Sequence, residues 1–453
     1  MQKPVIHWFR NDLRIKDNSA LNAVAKRGPV IPIYIIHSKP QAREWSGSKR
    51  QSFLCQCLDS LNQALQKNGT NLHIVEGQPA EELARLCRIF GASAVSFNKN
   101  YDPYSIRLEG EVTKTLEEIG ISVIACRDRI LHEPAEVYTK AKKPFIVFTP
   151  FYQTWSKLEK PIQSPIPPDG LNFLRVTKKG LSLPTVESWG IPPTTLKFET
   201  PQQALARSLE HLQEYPDTRN IPSISSSQLS PHLRFGTIST ATIYRAVANA
   251  TAPNKHVFLR QLAWREFFIH LLYHFPHVLN QEFNPTFLNI NWEKNPSGFE
   301  RWKNGETGFP IVDAGMRELN TTGFMHNRVR MIVSMFLTKD LRVDWRLGEK
   351  YFMQNLIDGE IASNNGGWQW SAGTGADAAP YFRIQNPWLQ TKRFDREGLY
   401  IKHWLPELRD VPPQKLWQPT QEAVAAGYPR PIVDHAKEKE ITLAMFKQTL
   451  GKS

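Results

Sequence analysis

Carboxylates, amides and tryptophans are concentrated in one short segment of the chain. Asp358-Gly359-Glu360 is followed by Asn364-Asn365-Gly366-Gly367, and then by Trp368 and Trp370. Glycine lets a flat ligand approach the backbone closely, while Asn and Asp offer directed hydrogen bonds. The pattern predicts a tight turn between aromatic residues that suits a nucleotide or a sugar. A polar turn leading into a helix, without a ligand, is the structural alternative.

Two further segments combine polar and soft side chains at helical spacing. In Arg260-Gln-Leu-Ala-Trp-Arg-Glu-Phe267, the side chains of Gln261, Trp264 and Arg265 share one face with Phe268. This set suits a flat heteroaromatic ligand with phosphates, although an amphipathic helix with a buried tryptophan explains the same spacing. Asn327 and Met331 are one turn apart, and an amide beside a thioether is typical of one wall of a base pocket.

The composition indicates a folded, basic protein. The 453 residues are 41% hydrophobic, and the net charge is +13. A chain this basic often binds nucleic acid, although a generally basic surface is the alternative. The sequence contains no run of ~18 apolar residues and no apolar signal core near its start, so we expect a cytoplasmic protein without a membrane span. The four cysteines, Cys55, Cys57, Cys87 and Cys126, lack zinc spacing.

The elements that must position these residues differ along the chain. Over residues 1–130, short β-branched runs alternate with helical stretches, which predicts an α/β domain with a doubly wound parallel sheet. The expected strands are Val5–Phe9, Val30–Ile36, Leu72–Val75, Ala94–Phe97 and Ile121–Ala125, with helices over 48–68 and 79–90. No G-x-G-x-x-G pattern follows the first strand, so the usual dinucleotide fingerprint is missing.

The remainder is predicted to be a connector and an all-α domain. Residues 131–200 form the expected interdomain connector, in which Pro161, Pro165, Pro167, Pro168, Pro184, Pro192 and Pro193 forbid a long helix. Residues 201–453 have helical periodicity, with segments at 202–214, 239–250, 255–275, 310–320, 325–340 and 346–357. Nine of the 13 tryptophans lie from Trp264 onward.

The three segments together resemble the photolyase/cryptochrome family, and most closely its class I cyclobutane pyrimidine dimer photolyases. The similarity runs from Trp8-Phe-Arg-Asn-Asp-Leu-Arg14 to Trp404-Leu-Pro-Glu-Leu408, and it includes Asn327-Arg-Val-Arg-Met331 and the Asn-Asn-Gly-Gly-Trp-Gln-Trp segment. The resemblance implies a light-driven lyase that repairs ultraviolet-damaged DNA by electron transfer from excited reduced FAD to a flipped-out lesion. It also implies a monomer without a metal cluster.

The resemblance assigns the site residues position by position. FAD would be held by Tyr215, Ser226, Ser227, Gln228, Leu229, Ser230, Arg265, Arg330, Asp358, Gly359, Glu360 and Asn364, with Asp358 paired to Arg330. A relay of Trp368, Trp345 and Trp292 would reduce the flavin in light. The catalytic pocket would contain Gln261, Trp264, Asn327, Met331, Asn364 and Trp370. Contacts to DNA would come from Arg219, Gln261, Trp264, Asn327, Arg328, Arg383 and Lys392.

The chain also departs from the family pattern. Gln261 stands where dimer photolyases carry a glutamate, which favours (6-4) photoproduct repair, whereas Asn327 favours dimer repair. Phe324 replaces a tryptophan but keeps an aromatic wall. Asn100-Tyr-Asp-Pro-Tyr-Ser105 lacks the Asn-Glu pair of folate-binding relatives, so a second, antenna chromophore would be a deazaflavin or a flavin, if one binds. A cryptochrome-like blue-light photoreceptor is the alternative function.

Overall fold

The chain divides into two compact units that are interleaved along the sequence. The computed structural model describes residues 2–37, 45–161, 170–176, 180–191 and 199–451. The first unit comprises Met1–Leu212 and Ser227–Pro276, and the second comprises Gln213–Ser226 and His277–Ser453. Within the described ranges, no helix is both long enough and apolar enough to span a bilayer.

The first unit contains a five-stranded parallel sheet in the order β3-β2-β1-β4-β5. The strands are β1 Val5–Phe9, β2 Val30–Ile36, β3 His73–Glu76, β4 Ala94–Asn98 and β5 Ser122–Cys126. Val5 of β1 lies opposite Val30 on one side and Ala94 on the other. Every residue of β1 and β4 is buried, as expected for strands covered on both faces. The predicted α/β fold class is confirmed.

The described α-helices are numbered in chain order. They are α1 Ser19–Val24, α2 Ser48–Lys67, α3 Pro79–Phe90, α4 Pro103–Glu118, α5 Phe148–Lys157, α6 Pro201–Glu210, α7 Tyr215–Thr218, α8 Ser230–Phe235, α9 Thr240–Asn249, α10 Lys255–His274, α11 Pro296–Asn304, α12 Pro310–Thr322, α13 Asn327–Met335, α14 Trp345–Asn355, α15 Ile361–Ala372, α16 Pro387–Phe394, α17 Leu399–Trp404, α18 Gln421–Ala425 and α19 His435–Leu450. In the second unit, the described residues form helices but no strand, which confirms the predicted all-α part.

In the described part of the stretch predicted as a connector, one α-helix forms. Helix α5 forms at residues 148–157, where no helix was predicted, because Phe148, Phe151 and Trp155 are buried along one face. Pro150 lies in its first turn, where the missing N–H removes no intrahelical hydrogen bond. Of the seven prolines used for the prediction, Pro165, Pro167, Pro168, Pro192 and Pro193 lie outside the described residues. The domain limits at 130 and 200 stay a prediction.

The structure corrects two local predictions for the second unit. The segment predicted as one helix over 325–340 is α13 followed by a π-helical turn, Phe336–Asp340. The turn predicted at Asn364–Gly367 lies inside α15. Asn and Gly favour turns, but Ala362, Trp368 and Ala372 are buried on this segment. Tertiary packing of the buried residues therefore outweighs the local preference of Asn and Gly.

Candidate functional site

Helix α13 begins with the predicted amide and thioether pair. His326 caps this helix, and its Nδ1 accepts a hydrogen bond from the backbone N–H of Arg328 at 3.1 Å. Nδ2 of Asn327 lies 3.9 Å from Sδ of Met331, so the two side chains contact each other across one turn. Asn327 is exposed and Met331 is half-buried. The first turn of α13 thus places a hydrogen-bonding amide beside a polarizable apolar group.

The ion pair predicted between Arg330 and Asp358 forms within the second unit. Nη2 of Arg330 donates to both carboxylate oxygens of Asp358, at 2.9 and 3.2 Å. Nε of Arg330 donates to the carbonyl of Met325 at 2.8 Å, and its guanidinium lies 5.4 Å from the centroid of the Phe324 ring. The guanidinium of Arg330 thus contacts the Phe324 ring and fixes the buried Asp358 carboxylate, while the role of Phe324 as a pocket wall stays a prediction.

A buried acid that the sequence did not reveal lies behind this ion pair. Glu318 accepts a hydrogen bond from the Tyr400 hydroxyl at 2.5 Å and from the backbone N–H of His326 at 3.4 Å. Burial raises the pKa of Glu318 to about 7, although these hydrogen bonds and Arg330 oppose the shift. Burial, aided by neighbouring arginines, lowers the pKa of His326 to about 4. A cap that accepts a hydrogen bond through Nδ1 must be neutral, which agrees with this shift.

The two asparagines of α15 are anchored by their amides. Nδ2 of Asn364 donates to the backbone carbonyl of Glu349 at 3.1 Å, and Nδ2 of Asn365 donates to the Glu349 carboxylate and to the carbonyl of Val278. Burial raises the pKa of Glu349 to about 7. Glu360 is the N-cap residue of α15, directly after Asp358 and Gly359. The start of α15 therefore combines the anchored amide of Asn364 with the acidic side chains of Asp358 and Glu360.

The tryptophans predicted to form a relay share one hydrophobic core. Trp368 and Trp345 are buried in this core, and the partly buried Trp292 packs against it. The Trp368 ring lies 4.9 Å from Phe352 and 6.0 Å from Trp302, both edge to face. Gly348 permits this packing, because a Cβ atom at that position would lie 2.1 Å from the Trp368 ring. Trp370, two residues further along α15, is half-buried.

The predicted residues of α10 lie in the first unit. The indole of Trp264 stacks on the Phe148 ring at 3.6 Å between centroids and 8° between planes, so one indole face is covered. Nε2 of Gln261 donates to the carbonyl of Val257, one turn earlier, at 3.1 Å. Nη1 of Arg265 donates to the carbonyl of Arg129 at 2.7 Å. The sequence did not indicate Phe148, which lies 116 residues away.

The remaining predicted cofactor residues fall on both sides of a unit boundary. Tyr215 and Ser226 belong to the second unit, whereas Ser227, Gln228, Leu229 and Ser230 belong to the first. Gln228 has φ +50°, a left-handed conformation that is uncommon for a residue with a side chain. Arg219 lies 5.8 Å from the Tyr215 ring centroid. The predicted FAD contacts of these residues stay predictions.

A basic groove of about 610 Å³ lies in the second unit. It is lined by the predicted Arg328 and Arg383, and also by Arg393 and Lys439, which sequence reasoning missed. Burial, together with Arg219 and Arg393, lowers the pKa of Arg328, which is the effect expected where cations crowd together. Nζ of the predicted Lys392 lies 5.3 Å from the Trp417 ring centroid. Such a groove can attract an anionic backbone.

Comparison with known proteins identifies the family. A family model described as DNA photolyase matches residues 5–168, and one described as the FAD binding domain of DNA photolyase matches residues 258–448. The deoxyribodipyrimidine photo-lyase of Synechococcus sp. is 35% identical over 474 residues, which cover 99% of this chain and 97% of the relative.

Solved structures agree with this result. A class III photolyase from Agrobacterium tumefaciens has a TM-score of 0.92 at 36% identity, covering 100% of this chain and 98% of that one. An archaeal photolyase from Sulfolobus tokodaii, solved with two FAD molecules, has a TM-score of 0.85 at 34% identity, covering 98% of this chain and 100% of that one. The chain therefore belongs to the DNA photolyase family and carries the FAD-binding domain of that family.

Proposed function

We propose that this protein repairs cyclobutane pyrimidine dimers in DNA under blue light, with reduced FAD as the electron donor. The observation that carries this proposal is the arrangement on α13, where Asn327 and Met331 form a polar and apolar pair and Arg330 holds Asp358. The name of the Synechococcus relative, deoxyribodipyrimidine photo-lyase, supports the same lesion class. The class I resemblance stays a prediction.

The residues of the second unit fit a flavin by the chemistry of their donors and acceptors. The Asn364 amide is buried and its Nδ2 is bound to Glu349, while no hydrogen bond to its Oδ1 is found among the described residues. An isoalloxazine ring carries N–H groups that could donate to such an acceptor. The buried Asp358 carboxylate is neutralised by Arg330, so the two together can orient a polar ligand at little electrostatic cost.

The proposal gives specific roles to the residues of the lesion pocket and of the tryptophan relay. Reduced FAD, when bound, would supply in light the electron that opens the cyclobutane ring. Gln261 and Asn327 would donate hydrogen bonds to the pyrimidine carbonyls, while Trp264 and Trp370 would stack on the flipped-out bases. Phe148 covers one face of the Trp264 indole, so stacking on a base would use the other face. Trp368, Trp345 and Trp292 would return oxidised flavin to its reduced state.

The proposed substrate is damaged DNA bound partly through phosphates. Arg219, Arg328, Arg383 and Lys392 are the predicted contacts, and the basic groove adds Arg393 and Lys439 to them. A second chromophore is proposed to be a flavin, because the Sulfolobus tokodaii photolyase was solved with two FAD molecules. The monomeric state and cytoplasmic location stay predictions.

Repair assays on the purified, FAD-loaded protein test the function. We expect restoration of a cyclobutane dimer oligonucleotide in blue light, no restoration in the dark, and little activity on a (6-4) photoproduct. Repair of the (6-4) lesion alone would mean that Gln261 outweighs Asn327 in defining the substrate. Absence of repair on both substrates, with FAD bound and reduced, would favour the photoreceptor alternative.

A further inference from the structure

The indole N–H of Trp345 donates a hydrogen bond to a buried carboxylate. Nε1 of Trp345 lies 3.3 Å from Oε1 of Glu282, a residue 63 positions earlier in the sequence. Trp345 has an exposed fraction of 0% and Glu282 of 3%, so water does not screen this contact. In contrast, Nε1 of Trp368 and of Trp292 are buried without a hydrogen-bond partner among the described residues. The three predicted relay tryptophans thus differ in their polar surroundings.

An arginine balances the charge of this carboxylate. Nη2 of Arg346 donates to Oε2 of Glu282 at 2.8 Å, which leaves Oε1 to face the indole. Nη1 of Arg346 also contacts both oxygens of Asp344 at 3.1 Å, and its Nε donates to the carbonyl of Asn280. The guanidinium is therefore held in place from three sides. It can stabilise a buried carboxylate charge that would otherwise be costly.

The same guanidinium lies over the indole of Trp345. Cζ of Arg346 is 4.8 Å from the Trp345 ring centroid, a cation–π distance. A nearby cation opposes the removal of an electron from this ring, whereas the Glu282 carboxylate favours it. An indole that loses an electron becomes a cation whose N–H is a much stronger acid. The geometry therefore offers a direct way to remove the unfavourable positive charge, which is to move the proton from Nε1 to Oε1.

We propose that Glu282 is the proton acceptor of Trp345 during light-driven electron transfer along the tryptophan relay, an inference that rests on the proposed function. After Trp368 has given an electron to the photoexcited, oxidised flavin, one electron moves from Trp345 to the Trp368 radical cation. The Nε1–H bond of Trp345 then breaks as an O–H bond forms at Oε1 of Glu282, which leaves a neutral indolyl radical and a glutamic acid. When an electron returns to Trp345, the proton returns to Nε1.

This transfer would lengthen the lifetime of the charge-separated state. A neutral indolyl radical cannot take back an electron without regaining its proton, so return of the electron to Trp345 slows. For the same reason, electron transfer from Trp292 to Trp345 is delayed until the proton has moved back to Nε1. Glu282 would thus control the middle of the relay from outside the chain of aromatic rings.

Flash photolysis of the FAD-loaded protein tests the proposal in a Trp292→Phe background, where Trp345 is the last tryptophan of the relay that can be oxidised. With Glu282 present, we expect the absorption spectrum of the neutral indolyl radical, formed more slowly in D2O than in H2O. In Glu282→Gln, which can accept the hydrogen bond but cannot take up the proton, we expect the radical cation spectrum. Its lifetime should shorten by about tenfold, the scale of replacing a charge-assisted hydrogen bond with a neutral one.

Asp344→Asn is the matched control for the change of charge. It removes a carboxylate from the same Arg346 and keeps a good N-cap for α14, but among the described residues it is Glu282, and not Asp344, that accepts the indole hydrogen bond. Its radical spectrum and lifetime should match those of the Trp292→Phe parent. If Glu282→Gln also matches the parent, the proposal is wrong. If Asp344→Asn changes the radical spectrum and lifetime as much as Glu282→Gln does, the change is due to the altered charge around Arg346. That result would also overturn the role of Glu282.

A failure of the relay itself has a different signature. In the otherwise native protein, Trp368→Phe should abolish light-driven flavin reduction, and chemically reduced enzyme should still repair dimers. If photoreduction survives Trp368→Phe, the relay assignment in the proposed function is wrong, and the role of Glu282 is lost with it. If photoreduction is lost in Trp368→Phe and Glu282→Gln leaves the Trp345 radical unchanged, only the inference about Glu282 fails.

Discussion

At the scale of single residues, Gln261 is the side chain that we propose decides substrate preference. Its amide nitrogen donates to the Val257 carbonyl within α10, so in this structure the donor is directed along its own helix. The second N–H of this amide can still donate to a ligand, whereas a protonated carboxylic acid at this position would have a single O–H to donate. The amide is also a weaker donor to a developing negative charge than an acid.

Gln261→Glu should therefore raise the yield of dimer repair per absorbed photon. In hydrolytic enzymes, removing one donor directed at developing charge in a dry site lowers kcat by ~10²–10³. We expect only a few-fold gain in repair yield here, because Gln already donates a hydrogen bond. In addition, ring opening competes only with decay of the excited state and back transfer of the electron. The measurement is the repair quantum yield of reduced enzyme on a cyclobutane dimer. Gln261→Met, which has no donor, serves as control and should lower the yield. A yield in Gln261→Glu that stays at or below the native value would contradict this role of residue 261.

Sequence spacing could predict some site residues and not others for a physical reason. Asn327 and Met331 are one turn apart, so helical geometry alone places them together. Glu282 and Trp345 are separated by 63 positions, and Glu318 and Tyr400 by 82. These pairs depend on how helices pack against one another, which no local pattern encodes. Glutamate is also rarely buried, so a glutamate in the sequence is predicted to lie on the surface.

At the scale of elements, the π-helical turn after α13 is the feature that places Lys339 in the core. Lys339 is 1% exposed, and its Nζ lies 3.7 Å from the centroid of the Phe446 ring on α19. This Nζ has no hydrogen-bond partner among the described residues. Burial lowers the pKa of Lys339 to about 7. The predicted continuous helix missed this turn, because apolar periodicity does not distinguish an inserted residue from a regular helix.

Lys339→Met should stabilise the protein at neutral pH. The unfolded chain binds the lysine proton up to about pH 10.5 and the native state only up to about pH 7, so the native lysine costs stability below pH 7 and the cost disappears between pH 7 and 10.5. We expect a gain of ~2–4 kcal/mol in free energy of unfolding at pH 7, which shrinks as the pH approaches 10. Urea unfolding at pH 7 and 9.5 measures it.

The exposed Lys447 on α19 provides the control for the loss of a positive charge. Lys447→Met should change the free energy of unfolding by less than ~0.5 kcal/mol at either pH, as surface substitutions usually do. A gain from Lys339→Met that is the same at pH 7 and 9.5 would mean that the native lysine keeps its charge. In that case the cation–π contact with Phe446 would outweigh the effect of burial.

At the scale of the whole molecule, the fold class follows from patterns that extend over long segments of the sequence. The change from strand-helix alternation to helices alone is a property of long segments, so it survives errors of a few residues at each element. The compact units, however, are interleaved, with 213–226 in the second unit and 227–276 in the first. A sequence analysis that divides the chain into consecutive blocks cannot produce such an arrangement.

The net charge of +13 leads to a prediction about DNA binding. Each phosphate neutralised by a basic side chain releases counterions, so the affinity for duplex DNA should fall with salt by a slope of about −0.9 per contact. The exposed Arg383 lines the basic groove, and Arg383→Gln should reduce the magnitude of this slope by about 1 for damaged and undamaged duplex alike. Fluorescence anisotropy over a range of KCl concentrations measures the slope.

Two further variants separate charge from base stacking. Lys26→Gln removes an exposed charge of the first unit that is not among the predicted contacts, and should leave the slope unchanged. Trp264→Ala should weaken binding of damaged DNA by ~1–3 kcal/mol without changing the slope, because stacking releases no counterions. Undamaged duplex should bind Trp264→Ala as tightly as the native protein, since its bases stay stacked. Equal losses on both duplexes would mean that Trp264 acts through its packing on Phe148 and does not contact the lesion.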